Sequence, residues 1–266
     1  MKAVFSFWSK RFKETGRIHS TVENPVFFNS WILSVKLAKR FFPKVTLYTD
    51  DYGKELLVNQ LGLQFDEVDL RLNDLESIPS YLWAYGKVIS YQAQTEPFLH
   101  IDYDAFFYAG LGKYFNGSPV IVESKELFSA YHFYDPLLNF LFQKKYYSST
   151  INAFKKLDYA YNCGVFGGYD LDFIKFYCKE ALAIADFMSA NDFDKIQMPQ
   201  FASIIFEQSA LASCLSYVNI KPALIVHDNG TFAIPYTHLK GDKSLPGMND
   251  KILSKTKSLF KTLNIE

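Results

Sequence analysis

Two carboxylates interrupt an apolar run in the stretch Pro97-Phe98-Leu99-His100-Ile101-Asp102-Tyr103-Asp104-Ala105-Phe106-Phe107-Tyr108. The run reads as a buried strand that delivers charge at its end. Side chains alternate faces along a strand, so Asp102 and Asp104 are expected to project together, with Tyr103 opposite. Two ionised acids beside an apolar core repel each other and lose hydration, a cost that a cation between them removes. A hard divalent ion with oxygen ligands is the simplest such cation. The plainer alternative is that Asp102 starts a turn and Asp104 caps a helix.

Three further polar groups stand out against apolar surroundings. Asn162 lies in Tyr161-Asn162-Cys163-Gly164-Val165-Phe166-Gly167-Gly168, where three glycines allow close backbone approach to a ligand; a turn or bulge is the ordinary use of such a run. Glu207 and Gln208 interrupt an apolar helical pattern and need polar partners there. His238 sits in Tyr236-Thr237-His238-Leu239-Lys240-Gly241-Asp242-Lys243. His100 precedes the acids inside the strand and reads as structural.

The elements that must position these groups follow from periodicity. Lys2 to Trp8 suits a strand buried on both faces. After Asn29, the apolar residues from Trp31 to Phe42 recur at helical spacing and stop at Pro43. Lys44 to Thr49 is a second strand ending at Asp50 and Asp51, Lys54 to Leu61 a helix closed by Gly62, and Phe65 to Leu70 a third strand. Tyr81 to Glu96 reads as a helix carrying Lys87 and leading into the central strand, and Pro119 to Val122 as another strand. Leu127 to Tyr147 is dense in aromatics and suits either a lid or core packing. Helices are expected over Leu171 to Met188 and Ile204 to Leu215, then a strand over Ala223 to Val226. Lys251 to Asn264 forms a basic amphipathic pattern: a terminal helix packed on the domain, or one touching an anionic membrane. Alternating strands and helices imply an α/β fold with a mostly parallel sheet, whose ligands bind beyond the carboxyl ends of the strands, where Ser9, Asp50, Asp102 and Asp104 lie.

Composition narrows the classes. The 266 residues suffice for a large core, and no repeat or low-complexity linker divides residues 1–266, so one domain is expected. Hydrophobic residues make up 49% and aromatics 18%, which excludes a disordered chain. Lys plus Arg and Asp plus Glu balance at 28 each, so no net charge draws the chain to nucleic acid. The odd number of cysteines, 3, without metal-ligand spacing, fits a reduced cytoplasmic compartment. Met1 to Ser9 lacks a signal peptide's cleavage site, and no window of 18 residues is apolar without a charge. The segment Ser9-Lys10-Arg11-Phe12-Lys13 carries no Gly-rich phosphate loop, which disfavours a dinucleotide fold.

The order of these motifs resembles the nucleotide-sugar glycosyltransferases of the GT-A fold, most closely the bacterial lipopolysaccharide galactosyltransferases and glycogenin-like enzymes. The likeness spans roughly residues 1 to 245. It implies a GT-A-like (Rossmann-like) fold and a Mn²⁺ or Mg²⁺ ion held by Asp102, Asp104 and His238. It also implies a nucleotide-sugar donor, expected to be UDP-linked, contacted by Asp102, Lys87, Lys243, Gly241 and Asp50. Gln208, Glu207 and Asn162 become the residues facing the sugar and its anomeric centre. An imidazole ligand favours Mn²⁺ over Mg²⁺. Two departures stand against the family pattern: Ser244-Leu245-Pro246 follows Lys243 where an aromatic Pro-Trp is usual, and Glu207-Gln208 replaces Asp-Gln.

The expected activity is hexosyl transfer from a nucleotide sugar to a glycan or lipid-linked acceptor in surface polysaccharide synthesis, in the cytoplasm or at the inner face of the membrane. Two rivals stay open: a non-catalytic transferase-like module that binds a glycan or partner, and a metal-dependent nucleotidyltransferase. The latter normally needs a Gly-rich basic loop after the first strand, and no glycine appears there until Gly16.

Overall fold

The computed structural model describes residues 1–14, 25–131, 134–148, 150, 153, 155–195, 198–240 and 254. The sequence-predicted residues Gly241 and Lys243 and the basic helix expected near 250–264 lie outside them. A seven-stranded sheet runs through the centre in the order β3-β2-β1-β4-β7-β6-β8. Its strands are β1 Lys2–Phe7, β2 Val45–Thr49, β3 Glu67–Asp69, β4 Phe98–Ile101, β6 Ile121–Leu127, β7 Tyr159–Gly168 and β8 Ala223–Leu224. The pairs β3–β2, β2–β1, β1–β4 and β6–β8 are parallel, and β7 runs antiparallel to both its neighbours, β4 and β6. The sheet is thus mostly parallel, as the alternation of elements implied.

Both faces are covered, which is why the inner strands are buried along nearly their whole length. Helix Pro25–Phe41 packs Trp31 and Val35 against Ala3, Phe5 and Leu47 on one face. On the other, helices Tyr85–Gln92, Leu171–Ala190 and Ala210–Val218 enclose Val4, Phe98 and Phe166. The continuous segment Pro199–Val218 is the one among the described residues long and apolar enough to cross a membrane, and most of it is buried within this core.

Several elements differ from the periodicity reading. The apolar run around the two acids is not one strand. It leaves the main sheet after Ile101, turns, and resumes as β5, Ala105–Phe107, which pairs with β9, Tyr236–His238, in a separate two-stranded sheet. The helix expected over Tyr81 to Glu96 is confined to Tyr85–Gln92, because turns precede it and Pro97 disfavours helical backbone at Glu96. Helix Pro25–Phe41 starts earlier than Asn29, since a proline suits a first helical turn whose N–H groups need no partner. Residues 54–61 hold the end of a short α-turn followed by a π-turn, Glu55–Gln60. β6 continues past Val122 to Leu127, and the glycine-rich run Tyr159–Gly168 is a strand rather than a simple turn.

Candidate active site

The site forms where β4 ends. The Ala105 amide donates to the Asp102 carbonyl at 2.9 Å, closing a turn of four residues. The turn, not strand alternation, brings Asp102 and Asp104 together, so the plainer reading of Asp102 was right about the backbone. Tyr103 points away and stacks on Trp31, with ring centroids 5.3 Å apart and planes 12° from parallel. Phe27 meets the same tyrosine edge-on, so an aromatic clamp anchors the turn's middle residue.

His238 arrives from far along the chain through the small sheet. β5 and β9 pair in the register Ala105↔His238, and the Leu239 amide donates to the Asp104 carbonyl at 3.1 Å. One ligand atom each from Asp102, Asp104 and His238 then lies within 4.8 Å of the others. His238 Nε2 is 3.4 Å from Asp104 Oδ2, and its Nδ1 is 2.7 Å from Glu123 Oε2. Burial works against a charged imidazole here, yet Asp104 and Glu123 outweigh it and push the His238 pKa up to about 10.

Lys87 closes the opposite side. Its ammonium lies 2.9 Å from Asp102 Oδ1 and 2.9 Å from Glu207 Oε1, and donates to the Cys163 carbonyl at 3.2 Å. Burial disfavours its charge, but the two acids hold its pKa above the usual lysine value. Glu207 is fully buried and accepts a further bond from the Tyr91 hydroxyl at 3.0 Å. Burial pushes its carboxyl up, against the pull of Lys87. Glu207 and Gln208 stand on a π-turn, Ile205–Ser209, inside the long apolar segment; such bulges recur at functional sites. The Tyr177 hydroxyl bonds the Glu207 carbonyl at 2.9 Å and steadies that turn. Gln208 Oε1 and Glu207 Oε2 are buried without a hydrogen-bond partner in the protein.

Two sequence-predicted residues have other work. Asp50 accepts from the Ser9 amide and hydroxyl at 2.8 and 2.7 Å and from the Gly53 amide at 2.8 Å. Its oxygens tie the end of β1 to the helix after β2, and it caps that helix. Asn162 donates to Glu126 at 2.8 Å and accepts from the Gly164 amide at 2.8 Å, so its amide braces β7. His100 is structural as expected, buried with Nε2 2.8 Å from the Ser6 hydroxyl.

Sequence reasoning missed Glu123, Glu126, Lys240 and the reason for Gly164. Glu123 is buried on β6 at an irregularity where the register with β7 slips between Val122 and Ser124. Burial acts to raise its pKa, but the His238 hydrogen bond and the charges of His238 and Lys240 bring it below the usual range. Lys240 spans Glu123 at 3.5 Å and Glu126 at 3.1 Å. A Cβ at Gly164 would fall 2.3 Å from Glu123 Oε2 and 2.4 Å from His238 Cε1, so only glycine leaves room for that pair. The Gly164 carbonyl also accepts the Asp102 amide at 2.8 Å, which joins both halves of the site. An acid inside the apolar run Val120-Ile121-Val122-Glu123 was the available signal.

The donor set fits a divalent cation. Five acids (Asp102, Asp104, Glu123, Glu126 and Glu207) meet two lysines and one histidine, a formal excess of negative charge even with His238 protonated. Two carboxylate oxygens and an imidazole nitrogen are a donor set that first-row divalent ions accept more readily than Ca²⁺ or Mg²⁺. Such a centre at a strand's carboxyl end can bind and activate an anionic group such as a phosphate.

A family model described as "Family of unknown function (DUF6734)" matches residues 1–242. A sequence search of curated proteins gives no match. Among solved structures, the galactosyltransferase LgtC in complex with donor and acceptor sugar analogs is similar in fold, with a TM-score of 0.51 at 11% identity over 97% of this chain and 96% of that one. An active-site mutant of LgtC gives a TM-score of 0.49 with the same identity and coverage. At such identity the likeness concerns the fold, and the fold is the GT-A-like one expected from the order of motifs.

Proposed function

The chain belongs to DUF6734, a family of unknown function, and we propose that it is a metal-dependent glycosyltransferase that moves a sugar from a nucleotide-sugar donor to a glycan or lipid-linked acceptor. The observation that carries this reading is the convergence of Asp102, Asp104 and His238 within 4.8 Å at the end of β4, in a fold shared with a galactosyltransferase solved with donor and acceptor sugar analogs. Asp102, Asp104 and His238 would hold the ion, for which Mn²⁺, a first-row ion that takes both carboxylate oxygen and imidazole nitrogen, is the candidate. A divalent ion bound there supplies a Lewis acid that stabilises charge on a diphosphate leaving group.

The chain's own residues do the rest. Breaking an anomeric bond leaves positive, oxocarbenium-like charge on the sugar. The Gln208 amide oxygen, buried and without a protein partner, is of the kind that stabilises such charge, and a bound ligand would satisfy it. Glu207 supplies negative potential beside it, held in place by Lys87 and Tyr91. Lys87, with its ammonium committed to Asp102 and Glu207, couples the metal-binding turn to the sugar-facing turn instead of reaching phosphate. Buried and paired on both sides, it holds these groups in one geometry before substrate arrives, the preorganisation that electrostatic catalysis requires.

The test is incubation of the purified protein with UDP-hexoses in Mn²⁺ while released UDP is followed. Release that stops on adding a chelator and is lost in Asp104→Asn supports the proposal. Release of equal rate in chelator would contradict it.

A further inference from the structure

We propose that Glu123 is a positioning residue for the metal centre, acting through His238; this rests on the metal-dependent reading above. Imidazole has two ring nitrogens, and it can ligate through one only if the proton sits on the other. Metal-ligating histidines accordingly give the remaining N–H to a carboxylate or carbonyl, which fixes both tautomer and ring orientation. His238 has that arrangement. Its Nδ1 lies 2.7 Å from Glu123 Oε2, and an ionised carboxylate can only accept, so Nδ1 carries the hydrogen. Nε2 is then the nitrogen left on the side of Asp104, 3.4 Å from its Oδ2.

Glu123 is itself held. It is 1% exposed, and its second oxygen lies 3.5 Å from the Lys240 ammonium. Lys240 in turn bonds Glu126, which accepts from Asn162. The strand irregularity at Glu123 and the missing side chain at Gly164 make the space in which carboxylate and imidazole meet. Bulges of this kind re-aim side chains beside active sites. Three separate strands, β6, β7 and β9, thus converge on one hydrogen bond that contributes no ligand of its own.

The test is Mn²⁺ binding to the purified protein, read from the electron paramagnetic resonance of free Mn²⁺ and from the ¹⁴N modulation of the bound ion. Wild type, Glu123→Ala, His238→Ala and the double variant are compared. Losing the partner of a ligating histidine weakens metal binding by roughly 10- to 100-fold. Glu123→Ala is expected to fall in that range and to lose the imidazole modulation, while in the His238→Ala background it should cost no more than about twofold, because its effect runs through that ring. If Glu123→Ala does not fold, Glu123→Gln replaces it: weakening with His238 present and none with His238 absent is again the expected pattern. Wild-type affinity and modulation in a folded Glu123 variant would overturn the inference while leaving the metal reading intact, as would equal losses in both backgrounds. Absence of Mn²⁺ binding by wild type would overturn both.

Discussion

Replacing Lys87 by methionine tests the account where its electrostatics are most exposed. The substitution keeps an unbranched side chain of similar length but removes a cation lying 2.9 Å from each of two acids. Glu207 is fully buried, so its carboxylate is left without a counter-charge and must either stay ionised in apolar surroundings or take up a proton. Asp102 is a quarter exposed, and solvent screens its share of the loss. Breaking one partner of a buried pair costs about 3–5 kcal/mol. For a domain of this size that is a drop in Tm of roughly 6–20 °C. The sign with pH is also fixed. Burial already raises the Glu207 carboxyl, and removal of Lys87 raises it further, so the variant's deficit grows as pH rises through the raised wild-type value toward the still higher one of the variant, and shrinks in acid, where Glu207 is neutral in both. The double variant Lys87→Met with Glu207→Gln leaves no buried charge at that position and should recover most of the loss. Urea and thermal unfolding of the three proteins at pH 5 and pH 8 provide the assay. A Lys87→Met protein as stable as wild type at pH 8, or a double variant less stable than the single one, would show that Lys87 does not offset the buried Glu207 charge.

Four further outcomes follow from contacts in and around the site. In metal-free protein the His238 pKa of about 10 lies above its unfolded value, so its contribution to stability is full below about pH 6.5 and is lost as pH rises through about 10; thermal melts of wild type should fall over that window more than those of His238→Asn. Mn²⁺ must displace that proton to reach the imidazole, so calorimetric Mn²⁺ affinity should increase with pH over the same range. Gly164→Ala forces a Cβ to within 2.4 Å of two side chains and should cost about 1–3 kcal/mol in urea unfolding while weakening Mn²⁺ binding. Asp50→Ala removes a helix cap and the Ser9 contacts, at about 1–2 kcal/mol by the same measurement, and should leave Mn²⁺ affinity unchanged.

The parts of the site that were legible in the sequence are residues out of keeping with their neighbours. Asp102 and Asp104 break an apolar run, and Glu207 sits in an apolar helix; both patterns demand a partner whatever the fold, and Lys87 turned out to serve both. The grouping of His238 with Asp102 and Asp104 came from the family resemblance and not from spacing, and the remaining partner assignments, which depend on long-range geometry, were not legible. His238 reaches Asp104 only because β9 pairs with β5, and Glu123 reaches His238 across 115 positions of sequence through a strand irregularity that no periodicity announces. Strand direction was hidden for a similar reason: β7 carries the same apolar residues whether it runs with or against β4. Asp50 illustrates the converse. An acid at the end of a parallel strand looks the same in sequence whether it meets a ligand or caps the next helix, and here its oxygens are taken by Ser9 and Gly53.

The most direct test of the central claim is thermal unfolding with UDP, GDP, CDP or ADP, each with and without Mn²⁺, for wild type and Asp104→Asn. A ligand specific to the folded state at a hundredfold excess over its Kd stabilises by about 2.7 kcal/mol, a shift of several degrees. A metal-dependent donor site gives such a shift with one nucleotide, UDP first among them, that requires Mn²⁺ and vanishes in Asp104→Asn. No shift with any nucleotide, or one that persists without metal or in Asp104→Asn, would contradict such a site.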